Sequence, residues 1–306
     1  FDTTGVIGMG GMFMDCRDLE EVDFGKGLNT ASVTDMAGMF DQCSSLKTLD
    51  LSFMDTSVVE SDGTVRGMQE MFEGCKSLKT LVLPENFITE KVTDTSLMFT
   101  DCSALETIDL TGSDTSSVTN MSLMFENCYA LKNLTLGEVF STESAKNLSS
   151  MFDSCYMLDT GKLVSDFDVS NVTNMGSMFR NNYAATSFDL SQWQSTGKLT
   201  DTQSMFSGCY NVESIKWGQN LDTSMVTTMR SMFDMYNRDE EAKPAALQSI
   251  GFGDSFKTDS VTEFRYMFRV FTQLETLHAL SRGDVSKAEN TEELFYGCMY
   301  RKSLEL

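Results

Sequence analysis

Eight cysteines and a lone histidine, His278, are the residues whose types most readily suggest chemistry: a nucleophile with its base, a metal site, or a set of disulfides. Their spacing argues against all three. Cys16, Cys43, Cys75, Cys102, Cys128, Cys155, Cys209 and Cys298 share one register of an internal repeat. A disulfide framework scatters its cysteines, whereas stacking produces a column of identical side chains. Adjacent coils bring Cα atoms within disulfide range, but side chains stacked in parallel seldom reach the required dihedral. The expectation is a reduced, buried column in which Cys acts as a small hydrophobe, and Asn182, Tyr236 and Phe271 in its place agree with that. There is no Cys-x-x-Cys, and one histidine cannot complete a zinc set or serve a Ser-His-Asp triad. No phosphate loop, calcium loop or other cofactor signature is visible. Asp50, Asp109 and Asp189 recur because the repeat does, whereas a catalytic carboxylate pair should break the pattern at one place. A glycan-cleaving enzyme therefore stands only as a minor alternative.

The elements that position these residues are set by eleven anchors: Met12-Phe13, Met39-Phe40, Met71-Phe72, Met98-Phe99, Met124-Phe125, Met151-Phe152, Met178-Phe179, Met205-Phe206, Met232-Phe233, Met267-Phe268 and Leu294-Phe295. The spacing is 26 or 27 residues except at two places. Such a period marks stacked coils, each burying its apolar side against its neighbours. Met121, Met124, Phe125 and Cys128 lie at i, i+3, i+4 and i+7, which predicts a short helix. Asp35, Asp94, Asn120, Asn147, Asn174, Asp201 and Asn290 stand where its N-cap would be. After the cysteine the period becomes two: Ile108 and Leu110 point inward, Thr107 and Asp109 outward, which predicts a strand in each coil. A turn follows, with a recurring Thr (Thr3, Thr30, Thr56, Thr89, Thr115). Val169 and Val285 in its place imply that the methyl is buried and the hydroxyl dispensable. The expected fold is an α/β solenoid of about eleven coils, one parallel β-sheet with a short helix per coil, running as a single array over 1–306. Insertions near 58–64 and 237–246 are expected as surface loops. Both termini fall in the middle of a unit, so a fragment of a longer protein is expected.

The repeat resembles the BspA-like leucine-rich repeats of bacterial surface proteins. The likeness is carried by the Met-Phe-x-x-Cys step, by Cys-x-x-Leu-x-x-Leu-Asp-Leu-Ser at Cys43–Ser52, by Asp114-Thr115-Ser116 and by Val-Thr-Asn-Met at 172–175. It implies a leucine-rich-repeat-type solenoid, secreted or held at the cell surface, working in adhesion or recognition of host or neighbouring-cell proteins or glycans.

A net charge of −22 argues against nucleic acid and anionic lipid as partners. No apolar run approaches the ~20 residues that cross a bilayer, so no direct membrane insertion is expected. What packing leaves unexplained is the outward face of the strands. Its first column, which includes Thr48, Thr80, Thr107, Thr160 and Thr276, is accounted for by strand propensity. Its second column, which includes Asp50, Asp109, Lys162, Asp189, Lys216 and His278, changes charge from coil to coil as a recognition surface would. The candidate ligand face is therefore Thr48, Asp50, Thr80, Thr107, Asp109, Lys162, Asp189, Lys216, Thr276 and His278. The main rival is a passive spacer that holds some other domain at a distance.

Overall fold

The computed structural model describes residues 2–25, 28–61, 64–195, 197–236, 245–247, 249–271 and 284–298. Thr276, His278, residues 62 and 63 of the first insertion and residues 237–244 of the second lie outside the described residues. The chain packs as two compact units, Phe1–Ala145 and Lys146–Leu306.

In the first unit the period-two segments form strands β1 (Thr48–Asp50), β2 (Thr80–Val82), β3 (Thr107–Leu110) and β4 (Asn133–Leu136). β1 pairs with β2 and β3 with β4, both parallel and in repeat register: Thr48 opposite Thr80, Asp109 opposite Thr135. The alternation is as expected, with Ile108 and Leu110 buried and Thr107 and Asp109 exposed. In the second unit β5 (Ser187–Asp189), β7 (Ser214–Lys216) and β9 (Ser249–Gly251) make a three-stranded parallel sheet. Beside it, β6 (Gln194–Ser195) pairs with β8 (Asn220–Leu221). Among the described residues, the strands within each unit form separate short sheets. This is a repeat fold whose strands pair in parallel at the spacing of the repeat.

The expected helix in each coil does not form. Among the described residues the one α-helix is α1 (Thr160–Leu163). The Met-Phe segments are instead runs of turns, and the reason lies in where their amides go. In the coil around Phe99, alternate amides cross to the next coil: Leu97 N–H to Ser122 O at 3.1 Å, Phe99 N–H to Met124 O at 2.9 Å, Asp101 N–H to Glu126 O at 2.9 Å. Those between turn back three residues: Met98 to Thr95 O, Thr100 to Leu97 O, Cys102 to Phe99 O. A helix would aim every amide along its own axis and leave neighbouring coils unbonded. Two isolated turns of helix are also marginal in water, whereas in this coil every amide from Thr95 to Cys102 has a partner. The backbone is left-handed before each Met-Phe pair, as at Leu97 (φ 60°) and Leu123 (φ 58°), and again, except at Met235, two residues after the Phe, as at Asp101 (φ 61°) and Asn127 (φ 59°). Each such residue costs on the order of 1 kcal/mol and persists because the bonds to its neighbours over-determine it. The predicted N-cap residues do accept from the amide two residues on, Ala37 N–H to Asp35 Oδ1 at 3.0 Å and Ser96 N–H to Asp94 Oδ1 at 2.8 Å, but they close Asx turns and cap no helix.

The apolar spacing nevertheless marks the buried face correctly. Phe13, Phe40, Phe72, Phe99 and Phe125 stack ring on ring in the first unit at 5.3–5.8 Å, and Phe179, Phe206, Phe233, Phe268 and Phe295 at 5.5–5.8 Å in the second. None of the eight cysteines is in a disulfide. Along the column, thiols donate to a Phe carbonyl one coil back: Cys43 to Phe13 O at 3.1 Å, Cys75 to Phe40 O and Cys102 to Phe72 O at 3.2 Å, Cys209 to Phe179 O at 3.0 Å. Asn182 does the same work, its Nδ2 donating to Phe152 O at 2.6 Å. The recurring Thr is a correction. Its hydroxyl is used, Thr30 donating to Asp55 O at 2.8 Å and Thr115 to Ser141 O at 2.7 Å, each one coil along.

Lys162 and Thr160 are also corrected. Their segment is α1, not a strand, because the inward position falls on Gly161, where a Cβ would sit 1.9 Å from Ser187 O. With no side chain to bury there, Thr160 turns in, is fully buried and donates to Asn182 Oδ1 at 2.5 Å. The cysteine column's one Asn is thereby satisfied, and Lys162 is left on the helix surface, 3.1 Å from Asp159.

Candidate functional site

The buried cysteines of the column are placed to be inert, while Cys16 at its start is exposed. Burial pushes the Cys43 thiol up to about 11 and that of Cys209 to about 12, and raises Cys75 and Cys102 well above the ordinary value. A thiol so shifted carries almost no thiolate at neutral pH. Among the described residues no group of three or more His, Cys, Asp or Glu side chains is arranged to hold a metal ion, and no helix is long and apolar enough to cross a membrane.

One carboxylate is perturbed as a catalytic acid would be, and the repeat accounts for it. The residue after each Phe forms a column, and in the second unit that column pairs opposite charges one coil apart: Asp153 with Arg180, Asp234 with Arg269, both at 2.6 Å. In the first unit the corresponding neighbours are Asp41 and Glu73. Burial first, then the charges of Asp41, Glu70 and Asp101, raise Glu73 from its ordinary 4.5 to about 7, while the one nearby base, Arg66, pairs with Glu70. Asp41 is raised too, chiefly by burial, and its Oδ1 is buried without a partner. A carboxyl that holds its proton more tightly when folded loses stability as pH rises between its unfolded and folded values. The expected result is a fall in stability from about pH 4.5 to 7. The full shift would be worth about 3 kcal/mol, and screening at this half-exposed site reduces it to about 1–2 kcal/mol. Urea melts across that range should show the fall, and Glu73→Gln should flatten it. An unchanged slope in the variant would assign the effect elsewhere.

The sheet face brings together part of the expected constellation. In the first unit Thr48, Asp50, Thr80, Thr107 and Asp109 are all exposed on β1–β3, with Val82 and Thr135 completing the second column. In the second, Asp189 and Lys216 are register partners on β5 and β7, 3.2 Å apart, with Ser191 Oγ also 3.2 Å from Lys216 Nζ. Lys162 does not join them. The aspartates have a structural duty besides: Asp50, Asp109 and Asp189 each accept from the amide two residues on at 2.9–3.0 Å, ending the strand. Side-chain and then amide bonds from Thr111 and Ser191 lower the pKa values of Asp109 and Asp189, and amide and then side-chain bonds from Ser52 lower that of Asp50.

Two features were missed. The residue after the cysteine position is Arg17, Ser44, Lys76 and Ser103 early in the chain, switches to tyrosine at Tyr129, and in the second unit is Tyr156, Tyr183 and Tyr210. Those rings stack at 4.8 and 5.8 Å, and Arg269 lies 4.4 and 4.3 Å from the rings of Tyr236 and Tyr266. The break in residue type at one register was the available signal. The second is a cleft of about 840 Å³ beside the ends of β2 and β3. It arises because Leu83 to Thr89 is one residue longer than Leu51 to Thr56 before it or Leu110 to Thr115 after it. A long turn between two short ones cannot stack evenly. Asp114 N–H bonds Ile88 O at 2.9 Å instead of the threonine hydroxyl that its counterparts use, and Thr89 Oγ1 is left buried with no partner. The spacing difference was legible but reads as tolerated drift.

The sequence profile described as "Mycoplasma protein of unknown function, DUF285" matches residues 1–64, 61–159, 133–245 and 216–304. The chain belongs to the DUF285 family. Comparison of this DUF285 protein with curated proteins gives no match. Among solved structures it is similar to a leucine-rich repeat protein from Bacteroides ovatus, with 14% identity, 97% of this chain and 87% of that one covered, and a TM-score of 0.33. It is also similar to a leucine-rich cell surface protein from Faecalibacterium prausnitzii, with 15% identity, 97% and 82% covered, and a TM-score of 0.30. At such scores the DUF285 chain's work must be read from its own surface.

Proposed function

We propose that this chain is a non-catalytic binding module, displayed at a cell surface or secreted, that engages host or neighbouring-cell proteins or glycans through the outward face of its strands. The observation that carries the reading is a contrast within one set of residues. Inward positions stay apolar (Leu49, Ile108, Leu134, Phe188, Ile215), while the exposed second column runs Asp50, Val82, Asp109, Thr135 in one unit and Asp189, Lys216 in the other. Packing demands the first constancy and has no use for the second variety. Surface placement rests on the likeness of the repeat to BspA-like proteins. Silenced thiols and the structural cause of Glu73's shift support a non-catalytic role.

The test replaces Asp50, Asp109 and Asp189 by Asn and Lys216 by Gln together. Asn retains the oxygen that ends each strand, so the melting temperature should stay within about 2 °C. Retention on immobilised matrix proteins and on intact cells should fall about tenfold, since complementary charge sets specificity and encounter. Undiminished retention would move the site off the sheet. A wild-type chain that is retained by nothing would favour the spacer, and products from a polysaccharide panel would favour an enzyme.

A further inference from the structure

We propose that the cleft beside β2 and β3 docks an extended, positively charged segment of a partner protein, with a lysine or arginine side chain lying in it. This rests on the binding-module reading and names the partner's chemistry. Three observations converge on it.

The first is the lining. Val82 and Val139 are 43% and 49% exposed, unusually open for branched aliphatics, and Pro84 lies with them. An apolar wall of this kind suits the methylene stem of a long cationic side chain, which buries its stem and keeps its head polar. The second is charge. Glu85, Glu90, Asp109 and Asp114 line the same cleft, and among the described residues no lysine or arginine does. The nearest base in sequence, Lys91, is occupied, its Nζ donating to Ser57 O at 3.0 Å. Asp109 and Asp114 each commit Oδ1 to a turn amide, at 3.0 and 2.9 Å, which leaves Oδ2 for a guest. The third is Thr89. Its counterparts Thr30 and Thr115 both donate to and accept from the next coil, whereas Thr89 Oγ1 is buried and unpaired. A buried hydroxyl without a partner costs about 1–3 kcal/mol, and it marks the long turn as poorly fitted to its neighbour, so that a small shift of the turn on docking would bring the hydroxyl to the guest's backbone and relieve that cost.

The cleft is also built in, not incidental. Gly112 permits it: a Cβ there would stand 1.8 Å from Glu85 O, so the long turn and its short neighbour approach this closely only with glycine. The overall charge of −22 disfavours an anionic guest, and a cationic one gains from the surrounding field as well as from the four carboxylates.

The test uses the whole chain and two fluorescein-labelled peptides, Val-Lys-Val-Arg-Val and Val-Glu-Val-Glu-Val, followed by anisotropy at about 50 and about 300 mM salt, where exposed charges are screened to different degrees. The cationic peptide should bind and the acidic one should not. Glu85→Gln/Glu90→Gln/Asp114→Asn should weaken binding about tenfold, and Asp166→Asn/Glu213→Gln/Asp259→Asn, which removes as many charges elsewhere, should leave it unchanged. Val82→Lys, which supplies a tethered cation, should weaken it as well. Equal loss in both triple variants would reduce the effect to general acidity and overturn the proposal, as would binding of the acidic peptide or none of the cationic one. Retention of matrix proteins or cells despite a failed peptide arm would sink the cleft alone and leave the binding-module reading standing.

Discussion

Replacing Phe99 by Ala should lower the unfolding free energy by about 3–5 kcal/mol, the range for deleting a buried aromatic ring. Phe99 is fully buried and stacks on Phe72 at 5.3 Å and Phe125 at 5.6 Å, nearly parallel to both. The substitution removes the ring's transfer energy, leaves a cavity, and breaks two aromatic contacts each worth about 0.5–1.5 kcal/mol beyond burial. In a repeat array the lesion weakens the interfaces on both sides of its coil. Phe53 is the control: 49% exposed, it should cost under about 1 kcal/mol on truncation. Urea melts of both variants decide the matter. Equal losses would mean that the ring column is not the core that holds the coils together.

What could be read from the residues, and what could not, follows from what a pattern encodes. Spacing of apolar residues at i, i+3, i+4 and i+7 fixes which face is buried, and Met121, Met124, Phe125 and Cys128 are buried as expected. It does not fix the backbone path. Helix and turn ladder bury the same four side chains, and the choice was settled by amides that had to reach the next coil. Glycine would have announced the left-handed positions, as it does at Gly11 and Gly38, but Leu97, Leu123, Glu70 and Tyr266 hold the same conformation under no such label. The strand register was legible because period two leaves one choice of face. Lys162 escaped that logic through its neighbour: Gly161 gives the inward side nothing to bury, and the alternation then has no hold on Lys162. The cleft came from a single residue of length between Leu83 and Thr89, a signal as small as ordinary drift.

The second large effect is expected at Arg180. Its guanidinium lies 2.6 Å from Asp153, whose side chain has no solvent exposure, and Ser154 Oγ donates to the other carboxylate oxygen at 2.9 Å. Burial is the strongest influence on Asp153 and raises its pKa, with Arg180 and Ser154 opposing it. Arg180 is therefore the main group that opposes the cost of burying this carboxylate's charge. Arg180→Ala leaves it buried with one hydroxyl for company, a change that typically costs about 3–5 kcal/mol. The loss should depend on pH in a definite direction. With the folded-state value raised further, the variant binds a proton on folding, so its deficit is full above that value and fades as pH falls toward the unfolded value near 3.9. Asp153→Asn in the same background removes the charge and should restore most of the stability at pH 8, where the single variant is weakest. Urea melts at pH 5 and pH 8 separate the cases. A small, pH-independent loss in Arg180→Ala would show that water reaches Asp153 and that the pair contributes no more than an exposed ion pair, about 0–1 kcal/mol. A large loss that Asp153→Asn fails to relieve would point instead to packing of the arginine stem against the turn ladder.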